Sequence, residues 1–327
     1  MGLPRSSLGQ TALFLAALLA APTLAGNDYY VSVLILCCIN AMVAAGLNLL
    51  LGFAGQISLG HAAFYGLSAY ATAVATATYG LPAEAGIAIA IVLVAAVAFL
   101  IGIPTLKLSG HYLAMATLGF GVIVYIFFNE AIELTGGPSG FVGIPRLTLL
   151  GYSFDSDIAY YRLCAAVLAV IVLLSRNLVD SRLGRALRAI HTSEKAAQTM
   201  GVDIARYKLF VFVLSAVYAA VAGALYAHYL CFAAPSSFSF LFSVELVTMV
   251  VLGGMNSLWG SVAGAFFLTM LPEFLRAFEN IEVLLFGLIL LVCMMYLPDG
   301  LVGGFERLRK AVFLRAPKPE PEDRHAG

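Results

Sequence analysis

The sequence predicts an all-α polytopic membrane protein with about ten transmembrane helices and with both termini in the cytoplasm. Three observations support this fold class: 61% of the 327 residues are hydrophobic, only 11% are charged, and the mean hydropathy is +0.96. An ordinary soluble domain is nearer to half apolar and a quarter charged. The composition therefore excludes a soluble globular protein, and the continuous apolar runs disfavour a β-barrel, whose strands alternate.

The individual spans follow from the distances between successive charged residues. Asp28 and Glu84 enclose 55 residues without a charge, and Lys208 and Glu245 enclose 36. About 20 mostly apolar residues cross a bilayer, and a charge at the centre of a span costs roughly 2.5–3.5 kcal/mol. The charge-free stretches predict spans near residues 8–24, 29–51, 60–79, 85–105, 111–130, 158–175, 209–229, 242–256, 259–273 and 281–298.

The orientation follows from the basic residues, of which 13 out of 18 lie in two segments, 176–208 and 307–324. The positive-inside rule assigns both segments to the cytoplasm, and the four spans between them agree with that. The first span also has the pattern of a cleaved signal peptide. A retained first helix fits the span count better, because it places the N-terminus in the cytoplasm. We therefore predict a transmembrane domain over 1–313, with a cytoplasmic coupling loop 176–208 and a periplasmic loop 131–157. A proline-containing, charged tail over 314–327 is predicted to be disordered in the cytoplasm.

Motifs for common enzyme chemistry are missing from the sequence. There is no GxxxxGK[ST] phosphate loop, no HExxH zinc motif and no GxSxG nucleophile motif. The five cysteines show no CxxC spacing, and we interpret them as small apolar packing residues. We expect no catalytic residue, cofactor, metal ion or nucleic-acid partner. A polytopic membrane protein of this kind is a transporter, a channel or a subunit of one.

The coupling loop contains two predicted short helices. The first, near 180–190, is amphipathic, because Arg182, Arg185 and Arg188 recur on one face and apolar residues recur on another. In the second, Ser193 is a suitable N-cap, Glu194 favours the helix dipole, and Gly201 ends the helix. The second helix is expected to present a small, smooth face formed by Ala196, Ala197 and Met200.

Two interpretations of this loop remain open from its charge alone. A basic loop can set the topology and lie on the anionic lipid surface. Alternatively, its helices insert into a groove of a cytoplasmic partner, where small residues permit close approach and Glu194 pairs with a basic rim.

The second helix also resembles the EAA loop of ABC importer permeases, in which a glutamate and two alanines are followed by three further residues and then a glycine. The matching residues are Glu194, Ala196, Ala197 and Gly201, and Lys195 departs from the pattern. The segments 46–64, 134–145 and 250–260 resemble, more narrowly, the branched-chain amino-acid permeases of the LivM type. The resemblance covers residues 29–312.

This resemblance implies a permease subunit of an ATP-driven importer in the bacterial inner membrane. It implies a second permease subunit, two ABC ATPase subunits on the cytoplasmic loops, and a periplasmic substrate-binding protein that delivers leucine, isoleucine or valine. Relatives that move urea or short amides share most of these segments, so the substrate stays open. A stand-alone ion-coupled transporter is a further alternative, although such proteins usually carry paired carboxylates within the membrane.

Two glycine-rich bends are the candidate pathway or gate. The first bend, 52–60, contains Gly55, Gln56, Ser58 and Gly60 and precedes His61; the second, 253–260, contains Gly253, Gly254 and Ser257. The orientation places both bends on the cytoplasmic side. Irregular backbone at membrane depth occurs only inside protein or beside water, which fits a gate. Tight helix hairpins, in which small residues let backbones approach, are the alternative.

Polar residues inside two apolar spans are further candidates. Glu245 interrupts a long apolar run, and it either reaches the outer interface or faces a cavity where it meets a substrate ammonium group. Asn40 and Asn48 lie two helical turns apart on one face and are predicted to form hydrogen bonds between helices.

Overall fold

The computed structural model describes residues 27–108, 110–149, 151–255, 257–276 and 282–296, together with residues 18, 22, 300, 301 and 303. The predicted tail 314–327 lies outside this part of the chain. So does the first predicted span, 8–24, except for residues 18 and 22.

Helices make up most of the described chain. They are α1 (Asp28–Asn48), α2 (His61–Ala73), α3 (Ala83–Thr105), α4 (His111–Glu130), α5 (Ile132–Thr135), α6 (Asp157–Asp180), α7 (Arg182–Thr192), α8 (Glu194–Thr199), α9 (Ile204–Leu230), α10 (Phe240–Gly253), α11 (Leu258–Leu275) and α12 (Glu282–Tyr296). The π-helical turns Leu49–Phe53 and Val74–Thr78 extend α1 and α2.

Short strands occur only at the loops within the described residues. The strand β1 (Phe141–Val142) pairs antiparallel with β4 (Phe232–Ala233), and β2 (Thr148–Leu149) pairs with β3 (Tyr152–Ser153). The first pair joins the 131–157 loop to the end of α9. The 3₁₀ turns Gly137–Ser139 and Pro235–Phe238 complete these connections.

Each predicted span from residue 29 onward overlaps one described helix, which confirms an all-α polytopic protein. Six described helices are long and apolar enough to cross a membrane: α1 with its π-helical turn, α3, α4, α6, α9 and α11. The helix α10 and the apolar part of α12 are shorter. The total of about ten spans therefore stays a prediction.

The central helix is α1, and its most apolar window is 89% buried. It packs against α6, α9, α10 and α11. By contrast, the corresponding windows of α3 and α4 are only 28% and 22% buried. A helix that is apolar on all sides is suited to a protein core or to lipid. The chain uses α1 for the core, and α3 and α4 present apolar side chains outward.

Small residues set the closest approaches between these helices. A Cβ atom at Gly223 of α9 would lie 2.1 Å from the carbonyl oxygen of Tyr65 of α2. Such contacts let two backbones meet directly, as is typical of membrane helices. Asn40 donates to the Thr269 hydroxyl of α11 at 3.0 Å, which confirms the predicted hydrogen bond between helices.

The two helices predicted in the coupling loop are confirmed as α7 and α8. Ser181 and Ser193 cap them, since their hydroxyls accept from the backbone N–H groups of Leu183 at 3.1 Å and Ala196 at 3.3 Å. Gly201 follows α8 with a φ of +79°, a conformation in which glycine is favoured.

One detail of α8 differs from the prediction. Ala197 is buried, whereas Ala196 and Met200 are exposed. The expected face of three small residues is therefore split, because α8 uses Ala197 to pack against its own chain. Ala196 and Met200 remain available to a partner.

Candidate functional site

The two glycine-rich bends are in contact with each other. A Cβ atom at Gly52 would lie 1.7 Å from the carbonyl oxygen of Met255. The side-chain amide of Asn48 donates to the backbone oxygen of Ser257 at 2.9 Å and to the Ser261 hydroxyl at 3.3 Å. The bends thus form one structural unit, and their location on the cytoplasmic side stays a prediction.

The second bend is itself a close helix hairpin. A Cβ atom at Gly253 would lie 1.9 Å from the carbonyl oxygen of Gly260, and Gly254 has a φ of +116°. The Ser257 hydroxyl caps α11 by accepting from the N–H of Gly260 at 3.1 Å. Small residues therefore pack closely in this bend, and its role in a gate stays a prediction.

The first bend carries a buried polar cluster. His61, at the start of α2, lies between two hydroxyl groups: its Nδ1 is 3.1 Å from the Ser58 Oγ, and its Nε2 is hydrogen-bonded to the Ser215 hydroxyl. His61 and Ser58 are both buried. A neutral imidazole has one donor and one acceptor nitrogen, and a hydroxyl serves either. The ring therefore links the bend to α9 through two hydrogen bonds, and either neutral tautomer can form both.

The same bend is attached to two more helices. The backbone N–H of Leu59 donates to the Thr117 hydroxyl of α4 at 3.0 Å. The backbone N–H of Ala62, in the first turn of α2, donates to the Ser243 hydroxyl of α10 at 3.1 Å. Gly60 is needed here, since a Cβ atom would lie 2.7 Å from the carbonyl oxygen of Thr117. Hydrogen bonds thus connect this bend and the first turn of α2 to α4, α9 and α10.

Gln56 is the exception within this satisfied network. Its side chain is 3% exposed, and neither amide atom has a hydrogen-bond partner among the described residues. The Oδ1 atom of Asn48 is unpartnered in the same sense. A buried amide without partners costs free energy and requires an explanation, such as water or another conformation. Gln56 is therefore the position in this bend at which hydrogen bonds to the rest of the described chain are missing.

The basic helix α7 reaches the first bend directly. Gly55 has a φ of +67°, and a Cβ atom there would lie 2.8 Å from the Cδ2 atom of His191. A cavity of about 580 Å³ adjoins this contact and is lined by Gly52, Phe53, Arg188, His191 and Thr192. Sequence reasoning did not find His191, because only tertiary packing brings it beside a residue 136 positions earlier in the chain.

An ion pair joins α8 to α9. The Lys208 Nζ lies 2.7 Å from the Glu194 Oε1, and the Lys208 side chain is only 5% exposed. The Glu194 carboxylate thus has a partner within the chain, and its pairing with a basic rim of a cytoplasmic partner stays a prediction. Sequence reasoning missed the role of Lys208. A cation in the first turns of an apolar helix requires a counter-charge, and that was the available signal.

The three predicted arginines of α7 and Glu245 lie outside the polar cluster around His61. Arg188 and Arg185 donate to the backbone oxygens of Val179 at 3.0 Å and Asp180 at 3.4 Å, at the C-terminus of α6, whereas Arg182 is exposed. Glu245 is half-buried on α10, and its carboxylate has no hydrogen bond or ion pair with any described residue. Glu245 does not join the cluster around His61.

A gate in the first bend predicts a change in exposure at Ser58. In a cysteine-free background, we expect a Ser58→Cys thiol to resist a water-soluble maleimide at rest, because this side chain is 1% exposed. In the ATP-driven importer that the sequence resemblance implies, labelling should appear during ATP turnover. Ser139→Cys, in an exposed turn of the 131–157 loop, should be labelled equally in both states. Unchanged protection at Ser58 throughout the cycle would show that the bend does not open.

Comparisons with known proteins agree with this architecture. Residues 29–295 match the family described as "Branched-chain amino acid transport system / permease component". The chain is 35% identical over 317 residues to the high-affinity branched-chain amino acid transport system permease protein LivM of Escherichia coli (strain K12), covering 89% of this chain and 74% of that protein. LivM of Salmonella typhimurium (strain LT2) is 35% identical over 287 residues, covering 81% of this chain and 68% of the relative.

A more distant similarity covers a smaller part of the chain. The permease protein LivH of Escherichia coli (strain K12) is 32% identical over 126 residues, which is 38% of this chain and 40% of LivH. No solved structure matches significantly. On the family match and the extent of the LivM similarity, this chain belongs to the family of branched-chain amino acid transport system permease components.

Proposed function

We propose that this chain is the membrane permease subunit of an ATP-driven importer that moves leucine, isoleucine and valine across the bacterial inner membrane by alternating access. The family and the names of the LivM relatives support the substrate class. The chain is a transporter subunit, and ATP hydrolysis takes place on two separate ABC ATPase subunits. A second permease subunit and a periplasmic binding protein complete the assembly.

The proposed topology has about ten spans, with both termini in the cytoplasm. The segment 176–208 is then the cytoplasmic coupling loop, and the ATPases contact α7 and α8. The loop 131–157 is periplasmic and receives the binding protein. The domain limits proposed from the sequence, 1–313 and 314–327, accompany this topology. The charge distribution supports it, since 13 of the 18 basic residues lie in the two segments assigned to the cytoplasm.

The observation that carries the proposal is the double attachment of the coupling loop. Through His191, α7 contacts Gly55 of the first bend, and through Glu194, α8 is paired with Lys208 of α9. When the ATPases close on ATP, a displacement of α7 and α8 acts on the bend and on α9 at once. The bend then moves α4 and α10 through its hydrogen bonds. Gln56 gains partners in the alternate conformation.

If α7 acts on the bend through His191, a His191→Ala variant should hydrolyse ATP without transporting leucine efficiently. Removal of the ring eliminates the contact with Gly55, so leucine uptake should fall by about fivefold or more while ATP hydrolysis continues. The matched control is His111→Ala, at an exposed position that begins α4. Uptake and ATP hydrolysis are measured in the same proteoliposomes. Equal reduction of both quantities would contradict a coupling role for His191.

Uptake of radiolabelled leucine into vesicles tests the function as a whole. The chain is reconstituted with candidate ATPase, second permease and binding protein, and each is withheld in turn. ATP-dependent uptake that requires every subunit is the expected result. Uptake of urea or a short amide in place of leucine would overturn the substrate. Uptake by this chain alone, driven by an ion gradient, would overturn the importer.

A further inference from the structure

A second cavity, of about 330 Å³, lies at the end of the molecule opposite the coupling helices. Its walls include Asp157, the first residue of α6, and His228, near the end of α9. The helix α6 has 24 residues, and it ends beside α7. At 1.5 Å per residue, Asp157 is roughly 36 Å from the coupling helices. In the proposed topology this cavity opens to the periplasm.

Two opposite charges line this cavity, Arg146 and Asp157. Among the described residues, the ion pairs include neither of them. The Arg146 guanidinium donates to the backbone oxygen of Asp155 at 2.6 Å, and the Asp157 carboxylate accepts from the Ser32 hydroxyl at 3.4 Å. A guanidinium has five N–H donors and a carboxylate accepts about four bonds, so each keeps capacity for a ligand.

The rest of the wall combines apolar side chains with the polar side chains of Ser32, Tyr160, His228 and Tyr229. Leu36 and Phe154 supply hydrocarbon surface. Below them, the His228 ring contacts the Pro145 carbonyl oxygen at 2.8 Å and the Thr72 hydroxyl at 3.2 Å, which fixes the loop that carries Arg146 against α2 and α9. The cavity is therefore preorganised. Its volume is at the lower end of the 300–1,000 Å³ that is typical of small-ligand sites.

We infer that this cavity is the periplasmic reception site for a zwitterionic, aliphatic α-amino acid. The substrate carboxylate binds Arg146, its ammonium group binds Asp157, and its side chain packs on Leu36 and Phe154. The inference rests on the proposed function and deepens it by naming where the substrate is received after release from the binding protein. A zwitterion supplies both counter-charges in one molecule, and a guanidinium binds a carboxylate through two parallel hydrogen bonds.

This arrangement also selects among the candidate substrates. Urea and short amides carry neither charge, so they leave both Arg146 and Asp157 without a counter-ion. Arg146 is exposed and Asp157 is partly buried, so the selectivity comes from the two counter-charges that a zwitterion supplies and an uncharged solute lacks. The site therefore favours a free amino acid over an uncharged solute.

Photoaffinity labelling of the complete transporter in lipid nanodiscs tests the site. The probe is leucine with a diazirine in its side chain, added without the binding protein. We expect label on peptides that contain 32–36, 154–160 or 228–230. Leucine should compete, whereas leucinamide, which lacks the carboxylate, and 4-methylpentanoate, which lacks the ammonium group, should not.

Charge-removing variants give the decisive comparison. Arg146→Gln and Asp157→Asn should each lower labelling by about tenfold or more. Arg146→Lys, which keeps the charge but loses the bidentate geometry, should give an intermediate value. The matched controls, Arg162→Gln and Glu133→Gln, change exposed charges that do not line the cavity, and they should label as the wild type does.

Three results would overturn the inference. Label elsewhere in a transport-active complex would exclude the cavity, as would full labelling in folded Arg146→Gln and Asp157→Asn proteins. Variants that label normally but lose stimulation of ATP hydrolysis by unloaded binding protein would show a docking surface for that protein. In all three, ATP-dependent leucine uptake by the wild type still supports the importer. Loss of that uptake would refute the proposed function separately.

Discussion

Replacing Gly52 with alanine is expected to abolish ATP-dependent leucine uptake and to lower the yield of folded protein. The added Cβ atom would lie 1.7 Å from the carbonyl oxygen of Met255 and 2.3 Å from the Oδ1 atom of Asn48. The first of these is a backbone atom, so rotation of a side chain does not relieve it. The two bends must separate, and the hydrogen bond from Asn48 to Ser257 is then lost. Overpacking and the lost bond together cost about 3 kcal/mol.

The chain offers a matched control for this substitution in Gly119. It is a helical glycine of α4, and a Cβ atom there would meet no neighbouring atom within 4 Å. Gly119→Ala should keep wild-type uptake and melt at the same or a slightly higher temperature, because alanine is the better helix former. Uptake and thermal unfolding are measured on both variants. Wild-type transport by Gly52→Ala would show that the two bends need not touch.

Replacing Glu194 with glutamine is expected to reduce uptake by about tenfold or more. The change leaves the buried Lys208 ammonium group without a counter-charge. Breaking a buried ion pair costs about 3–5 kcal/mol, but the Glu194 side chain is 46% exposed, so water replaces part of the interaction. We expect a loss of about 2 kcal/mol, which shifts α8 relative to α9 and disturbs the docking of the ATPase.

Two companion variants separate this effect from a general loss of charge. Lys208→Gln should be milder than Glu194→Gln, since the carboxylate that remains is partly hydrated. Arg206→Gln removes a cation two positions away, whose 2.8 Å pair with Asp203 is exposed, and surface pairs contribute little. Its uptake should stay within about twofold of the wild type. Uptake and co-purification of the ATPase are measured in all three, and equal effects would exclude a special role for the pair.

Much of this protein was determined by the sequence itself. A charged side chain is costly in lipid, so spans are expected where the sequence has long stretches without charge. The positions of the charged residues are known from the sequence alone. The amphipathic spacing around Arg185 and the cap at Ser193 are local features of the sequence, so α7 and α8 were predictable. The segments that resemble LivM-type permeases likewise indicated the family before any contact was known.

The contacts that join these elements were decided only by the tertiary structure. His191 meets Gly55, Lys208 meets Glu194, and Arg146 shares a cavity with Asp157. Each relation depends on how helices pack, and a membrane helix that is apolar on all sides carries little periodic signal to say which face turns inward. Helix packing likewise buries Ala197 and leaves the Gln56 amide without a hydrogen-bond partner among the described residues. Local patterns define helices, whereas the close approach of small residues at their interfaces determines which polar groups meet.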